Sequence, residues 1–201
     1  MLETHILLAV LWILFCFFHS FLANADVKNW VAKKLGDRYK WYRLFYTIFS
    51  FATLIPLLLF QFKIISPFLF TPSIITYILG GAIAAAGFVI MGICIKKYFL
   101  SLSGIKTLIT DHTTNDLQVT GIHKYVRHPL YSGTFLFVVG LFVIIPQASL
   151  LIASAIIIGY TLLGIQWEEE KLVAEFGEQY RMYKKRVPKL IPFSKSFQSN
   201  Y

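Results

Sequence analysis

Charged residues are scarce in this chain of 201 residues: they make up 14% of it, whereas apolar residues make up 57% and the mean hydropathy is +0.64. A soluble domain usually carries about 25% charged residues, so this composition argues against a soluble one-domain enzyme. Nineteen Lys and Arg residues outnumber ten Asp and Glu residues, but all of them stand in a few short stretches. This distribution predicts a membrane protein with basic flanks and no nucleic-acid partner.

Cysteine is also scarce. The two cysteines, Cys16 and Cys94, both lie inside apolar runs. Two thiols cannot build a disulfide framework, and they are too few for a zinc site based on cysteine. We therefore expect neither a metal site nor redox chemistry.

Long apolar runs are abundant, and they define the predicted fold. A bilayer core about 30 Å thick requires roughly 20 apolar residues per helix. The candidate runs are residues 5–22, 41–62, 73–95, 130–145 and 148–165. Only Pro146 and Gln147 separate the last two runs, which predicts a helical hairpin. The sequence thus predicts an all-α integral membrane protein with about five transmembrane helices. We expect a single membrane domain over 1–201, with a three-span part at 1–95 and a cofactor-binding part at 96–201.

The basic residues predict the orientation of the chain. All lysines and arginines except Lys63 fall before the second span, between the third and fourth spans, or after the fifth. These three regions lie on one side of a five-span topology, and the positive-inside rule places that side in the cytoplasm. We expect an integral protein of the bacterial inner membrane, with its N-terminus outside and its C-terminus in the cytoplasm.

Two amphipathic segments and one loop complete the predicted organisation. A short interfacial helix follows the first span, with Asp26 as its N-cap and Gly36 as its stop signal. A second pattern, running from Leu172 to Tyr183, predicts an amphipathic cytoplasmic helix at the C-terminus. Gly80 and Gly81, followed by Ala84 and Gly87, predict close helix packing rather than a nucleotide loop. Residues 101–121 show turn chemistry and predict a loop.

Polar residues concentrate at two membrane edges. The first cluster runs over residues 121–133, where Pro129 suits the first turn of the fourth span and His128 and Tyr131 share one helix face. An ordinary interfacial collar, with Arg127 reaching phosphate, explains this cluster about equally well. The second cluster is Glu168, Glu169 and Glu170, where complementing a helix dipole is the ordinary alternative. Because the last two spans form a hairpin, we expect the two clusters to meet in one cytoplasmic pocket.

The motifs have a specific resemblance. Gly121 is followed after five residues by Arg127-His-Pro-x-Tyr131, which leads into the predicted helical hairpin. After the hairpin comes a Glu pair, seven residues before Phe176-Gly177-x-x-Tyr180-x-x-Tyr183. A final segment, Lys184-Lys-Arg-Val-Pro-Lys-Leu-Ile-Pro192, follows. Over about residues 117–192 this arrangement resembles the isoprenylcysteine carboxyl methyltransferase family, here as a bacterial member, which is related to enzymes that methylate phospholipid amines.

The resemblance implies a function and a set of site residues. It implies methyl transfer from S-adenosylmethionine to a small or lipid-like acceptor in the membrane: the carboxylate of an isoprenylcysteine-like thioether, or another thiol, amine or carboxylate. Arg127, Arg186 and Glu169 match residues at the catalytic end, the two arginines near the methyl acceptor. The implied cofactor-binding residues are Gly121, His123, His128, Pro129, Tyr131, Glu168 and Glu169. His123 stands where the family usually has Tyr. The run of Lys184, Lys185 and Arg186 as a whole is expected to anchor to phospholipid.

Two other functions fit the same features. Sterol reductases use a similar Arg-His-Pro segment for NADPH, so a membrane reductase is one alternative. The paired glutamates argue against it because they would repel the phosphates of that cofactor. The other alternative is a non-catalytic membrane subunit with the same fold. Cofactor binding distinguishes all three hypotheses.

Overall fold

The computed structural model describes residues 1–102 and 117–192, and the regular elements of these residues are helices. We number the α-helices in chain order. They are α1 (Leu2–Ala23), α2 (Ala25–Leu35), α3 (Tyr42–Lys63), α4 (Ile74–Leu102), α5 (Pro129–Ile144), α6 (Ala148–Phe176) and α7 (Glu178–Arg186), with 3-10 helices at Gly36–Trp41 and Gly121–Lys124. The predicted all-α fold is confirmed.

The apolar helices make the protein an integral membrane protein. In the described residues, four helical segments are long and apolar enough to cross a bilayer: Leu2–Ala23, Arg38–Lys63, Ile74–Lys96 and Ala148–Phe176. The fourth predicted span corresponds to α5, which has 16 residues. At 1.5 Å per residue it is roughly 24 Å long, somewhat less than the hydrocarbon thickness. Residues 145–147 alone separate α5 from α6.

The described residues form two compact units, at 1–71, 96–102 and 145–157, and at 72–95, 117–144 and 158–192. In the first unit, Leu8, Trp12, Leu57 and Ala153 form a buried apolar cluster. The Trp12 indole donates a hydrogen bond of 3.0 Å to the buried Gln61 side chain. This apolar core, in which the Trp12 indole N–H is hydrogen-bonded, therefore holds α1 against α3.

In the second unit, α4 and α5 approach each other through glycines. A Cβ atom added at Gly87 would lie 2.5 Å from the Gly133 carbonyl oxygen, and one added at Gly133 would lie 2.9 Å from the Gly87 carbonyl oxygen. Gly140 meets the backbone of Ala84 in the same way. Small residues allow two helix backbones to approach closely in a membrane. The predicted helix packing at Gly80, Ala84 and Gly87 is confirmed.

Two predicted element boundaries differ from the structure. Asn24, not Asp26, is the N-cap of α2: its side chain accepts a hydrogen bond of 2.7 Å from the Asp26 backbone N–H. Gly36 does end α2, with φ of +51°. The predicted amphipathic helix from Leu172 to Tyr183 is wrong, because α6 continues through Phe176 and the chain breaks at Gly177, where φ is +55°. Helix-forming Glu and Lys residues extend α6 until this glycine adopts a conformation that other residues avoid.

Part of the predicted loop lies outside the described residues. Positions 101 and 102 belong to the end of α4 and not to the predicted loop, and residues 103–116 are not described. The predicted division of the chain at residues 95 and 96 stays a prediction.

Candidate functional site

A proline and a glycine shape the backbone before α5. Gly121 has φ of +64° and starts the 3-10 helix Gly121–Lys124. Pro129 begins α5, where its missing N–H removes no helical hydrogen bond. His128 precedes it, and its carbonyl accepts a hydrogen bond of 3.0 Å from the Ser132 N–H. The Arg-His-Pro segment is thus a turn that leads directly into a helix.

Glu169 is the centre of the site. Its side chain is 6% exposed, and its Oε1 atom lies 2.7 Å from Arg127 Nη2 and 3.2 Å from His128 Nε2. Its Oε2 atom lies 3.2 Å from Lys184 Nζ and 3.9 Å from Lys189 Nζ. A buried carboxylate requires such partners because removing it from water is strongly unfavourable. The guanidinium of Arg127 and the ammonium groups of Lys184 and Lys189 therefore compensate the negative charge of Glu169.

Arg127 ties this site to the segment 187–190, which we call the strap. Its guanidinium, 7% exposed, also donates to the Val187 carbonyl and to the Lys184 carbonyl, the latter at 3.1 Å. The Arg127 N–H donates to Pro188 O at 2.9 Å and the His128 N–H to Lys189 O at 3.1 Å. Arg127 consequently has protein partners for most of its N–H groups, which is the arrangement of a positioning residue.

His128 contacts both predicted clusters. One ring nitrogen faces Glu169, and the other, Nδ1, lies 3.8 Å from Glu168 Oε2. Its ring stacks on Tyr131, with centroids 5.7 Å apart and planes at 22°. Glu168 itself is 44% exposed. In this unit, the Arg-His-Pro segment therefore lies next to Glu168 and Glu169, which is the arrangement that the sequence predicted.

Other predicted site residues lie around this centre or outside it. Pro129 is buried, Gly121 is exposed, and the His123 carbonyl accepts a hydrogen bond of 2.6 Å from the Tyr183 hydroxyl. Arg186 is the exposed last residue of α7. In the described part of the chain, it is not one of the ion-pair partners of Glu169. The structure thus brings together Arg127, His128, Tyr131, Glu168 and Glu169, but not Arg186.

A cavity of about 410 Å³ borders Glu169. Its lining residues are Gln166, Glu169, Glu170, Val173, Lys184 and Lys189. This volume is within the usual range for small-molecule sites. Lys189 was not predicted as a site residue, and Lys184 was predicted to be part of a phospholipid anchor. The available signal for Lys184 was the spacing of α7, which places it four residues after the buried Tyr180 and therefore on the same helix face.

Tyr180 is a buried polar group beside this charge cluster. It is 1% exposed, and its hydroxyl has no hydrogen-bond partner among the described residues. Burial, together with the negative charges of Glu169 and Glu168, raises the pKa of Tyr180 against the opposing effect of Arg127. The hydroxyl therefore stays neutral and retains an unused hydrogen.

Comparisons with known proteins give consistent matches. The profile of the family described as Phospholipid methyltransferase matches residues 75–179. The chain is 45% identical over 83 residues to the Methanethiol S-methyltransferase of Crocosphaera subtropica, which covers 41% of this chain and 32% of that protein. It is 33% identical over 193 residues to Methanethiol S-methyltransferase 2 of Bradyrhizobium diazoefficiens, covering 89% and 70%.

A third relative carries a different name. The chain is 31% identical over 114 residues to the Protein-S-isoprenylcysteine O-methyltransferase of Schizosaccharomyces pombe, covering 54% of this chain and 48% of that protein. The matches to the Crocosphaera and Schizosaccharomyces proteins therefore span between a third and a half of those relatives. No solved structure matches the chain.

Proposed function

Because the chain belongs to the phospholipid methyltransferase family, we propose that it is a membrane methyltransferase that uses S-adenosylmethionine as methyl donor. The observation that carries this proposal is the buried Glu169, held by cations at the wall of a cavity of about 410 Å³. Such a concentration of buried, partnered charge in one concave place is typical of a functional site.

The chemistry of the cavity wall fits this cofactor. S-adenosylmethionine carries an ammonium, a carboxylate and ribose hydroxyls, so it requires both anionic and cationic partners. Glu169 and Glu170 offer carboxylates, and Lys184 and Lys189 offer ammonium groups in the same wall. We assign the glutamates to the ammonium or ribose and the lysines to the carboxylate. The Tyr180 hydroxyl, buried with an unused hydrogen, is a further donor beside the site.

The protein's own task is positioning. When bound, S-adenosylmethionine supplies a methyl group on a sulfonium, and its in-line transfer removes a positive charge. Such a reaction requires alignment and exclusion of water more than proton transfer. Arg127 fixes Glu169 and the strap, while the stacked rings of His128 and Tyr131 form a rigid wall next to Glu168. We propose that these residues hold the site in shape before the cofactor binds.

For the acceptor, we propose a small thiol. The support is the match to a methanethiol S-methyltransferase over 89% of this chain, whereas the isoprenylcysteine relative matches over 54%. A thiol must lose its proton before its sulfur attacks, which a carboxylate acceptor does not require. Glu168 is the partly exposed carboxylate beside His128 and is our candidate for receiving that proton. In this proposal Arg186 does not bind the acceptor, although the resemblance implies that role for it.

We further propose that the cavity faces the cytoplasm, the compartment from which a water-soluble cofactor would arrive. The support is that the basic residues concentrate in the first and third polar intervals and at the C-terminus. Labelling of a single cysteine introduced at Arg186, in a background without Cys16 and Cys94, tests this. An impermeant maleimide should label it in inverted inner-membrane vesicles and not in intact spheroplasts.

Calorimetric titration of the detergent-purified protein tests the cofactor. S-adenosylmethionine should bind and NADPH should not. Lys189→Met should weaken binding about 10- to 100-fold, since a charge-assisted hydrogen bond contributes about 1.5–3 kcal/mol. Lys185→Met, a change of the same type at an exposed position of α7, should leave binding unchanged. Binding of NADPH alone would establish a reductase, and binding of neither would indicate a non-catalytic membrane protein.

Transfer of a radiolabelled methyl group tests the acceptor. Methanethiol should be labelled, whereas a farnesylcysteine carboxylate of matched concentration should not. Glu168→Gln should lower kcat at neutral pH and regain activity as the pH approaches the pKa of the thiol, because a thiolate then forms without a protein base. Equal labelling of the carboxylate, with no effect of Glu168→Gln, would exclude the thiol assignment.

A further inference from the structure

A second, larger groove lies within the first unit, between α1 and α3. It encloses about 530 Å³. Its walls are mostly leucine and phenylalanine side chains, among them Leu11, Leu14, Phe15, Phe18 and Phe60. Thr53 also lines it, with its hydroxyl hydrogen-bonded to the backbone carbonyls of α3. The described lining residues include no lysine, arginine, aspartate or glutamate. A groove of this volume and lining fits an apolar chain.

One polar cluster interrupts this apolar wall. It consists of His19 near the end of α1 and of Tyr46 and Ser50, one turn apart near the start of α3; we call it the His19 cluster. The Tyr46 hydroxyl lies 2.8 Å from His19 Nε2, and His19 Nδ1 lies 3.2 Å from Ser50 Oγ. His19 and Ser50 line the groove. The groove therefore has an apolar body and one polar end.

The hydrogens of this cluster are used internally. Ser50 Oγ donates to the Tyr46 carbonyl at 2.9 Å. If Tyr46 donates to His19 Nε2, the ring carries its hydrogen on Nδ1 and donates to Ser50 Oγ, so the three bonds are mutually consistent. Lone pairs on the Tyr46 and Ser50 oxygens then remain as acceptors. The polar end consequently recognises a hydrogen-bond donor.

We propose that this groove binds a neutral single-chain amphiphile whose head is a hydroxyl group, that is, a long-chain alcohol. The hydroxyl donates its hydrogen to the Ser50 oxygen, the acceptor of the His19 cluster that lines the groove, and the alkyl chain lies along the leucine and phenylalanine wall. The groove carries no formal charge that would select a phospholipid headgroup. This site is independent of the proposed methyl transfer, and its test requires no activity.

Photolabelling tests the proposal. The full chain in phosphatidylcholine nanodiscs is titrated with hexadecanol that carries a diazirine in its chain, and labelled peptides are mapped by mass spectrometry. Labels should fall on α1 and α3. Ser50→Ala should raise the concentration for half-labelling about threefold to tenfold, the range expected for one lost hydrogen bond. Tyr77→Phe, at an exposed position of α4, should leave it unchanged.

A second variant blocks the groove itself. Ala52→Phe places a ring inside the volume without touching the His19 cluster, and it should abolish labelling of α1 and α3 by the alcohol. Should this variant fail to fold, the Ser50→Ala titration decides the question on its own. Equal labelling by a diazirine phosphatidylcholine, or half-labelling unchanged by Ser50→Ala, would show that ordinary membrane lipid fills the groove and would overturn the proposal.

Discussion

Two pairs of membrane helices in this protein, α4 with α5 and α1 with α3, pack in opposite ways. Between α4 and α5, glycines remove side chains, so that a Cβ atom at Gly87 would have no room. Between α1 and α3, leucines and phenylalanines keep the backbones apart, and a groove of about 530 Å³ remains. Side-chain size along the contact therefore decides whether a pair of membrane helices closes completely or keeps a binding volume.

The polar groups of the two regions differ in the same manner. The second unit buries a carboxylate, Glu169, and surrounds it with four basic side chains. The first unit uses neutral groups, such as the Trp12 to Gln61 hydrogen bond and the His19 cluster. Since a buried ion requires more compensation than a buried neutral group, damage to the first kind of network should be larger.

Removing Arg127 should have the largest effect on stability. Arg127→Met leaves Glu169 with fewer cations, and it leaves the Lys184 carbonyl and the Val187 carbonyl of the strap without their donor. Breaking a buried ion pair in this way typically costs about 3–5 kcal/mol. Unfolding in detergent by denaturant titration measures it. Arg181→Met is the matched control, because its ion pair with Glu178 is exposed and contributes about 0.2–1 kcal/mol at most. Equal losses in the two variants would show that Arg127 does not stabilise the site.

Gly87→Ala should have the second largest effect. The added methyl group would lie 2.5 Å from the Gly133 carbonyl oxygen, so α4 and α5 must separate. Overpacking of this kind costs about 1–3 kcal/mol. Gly81→Ala, in the same helix and with nothing within 4 Å of the added atom, should be neutral or slightly stabilising. Thermal unfolding of the two variants side by side is the measurement, and identical melting temperatures would contradict close packing at Gly87.

In the first unit, the Trp12 to Gln61 hydrogen bond should contribute about 1 kcal/mol, the usual net value for a neutral bond. A double-mutant cycle with Trp12→Phe and Gln61→Leu isolates this coupling from the loss of packing. Trp30→Phe, at an exposed indole, controls for the loss of the indole itself. A coupling free energy near zero would remove the neutral hydrogen bond from the explanation of this unit.

The same difference between the regions explains what the sequence could predict. Apolar runs and turn residues predicted the helices because periodicity and helix length are local properties. The residues of the Glu169 site that lie between Arg127 and Glu169 were predictable, because they stand close together in two short motifs. The boundary at Gly177 was not predicted, since residues 166–176 suit either an extended α6 or a separate helix, and only the conformation of one glycine decides between them.

The His19 cluster and Lys189 could not be predicted for a different reason. His19, Tyr46 and Ser50 are separated by up to 31 residues, and each looks like an isolated polar residue at a membrane edge. Lys189 stands in a basic segment that is equally typical of a phospholipid anchor. In both cases the relevant property is which helix faces meet, and sequence spacing within one helix does not determine this.

Tyr180→Phe should give the smallest effect, and it depends on pH. Because the folded state raises the pKa of Tyr180, both states are protonated below the ordinary tyrosine pKa of about 10, and the stability contribution is fully present there. Above this pH the unfolded chain loses the proton while the folded chain keeps it, so stability falls as the pH rises. Between about pH 9 and 10.5 the native sequence should therefore lose more stability than Tyr180→Phe, by less than about 1 kcal/mol. Tyr125→Phe, at an exposed position, should leave the native pH dependence unchanged. Parallel curves for the native chain and Tyr180→Phe would mean that Tyr180 ionises as freely in the folded state as in the unfolded one, and the burial of a neutral hydroxyl beside Glu169 would lose its support.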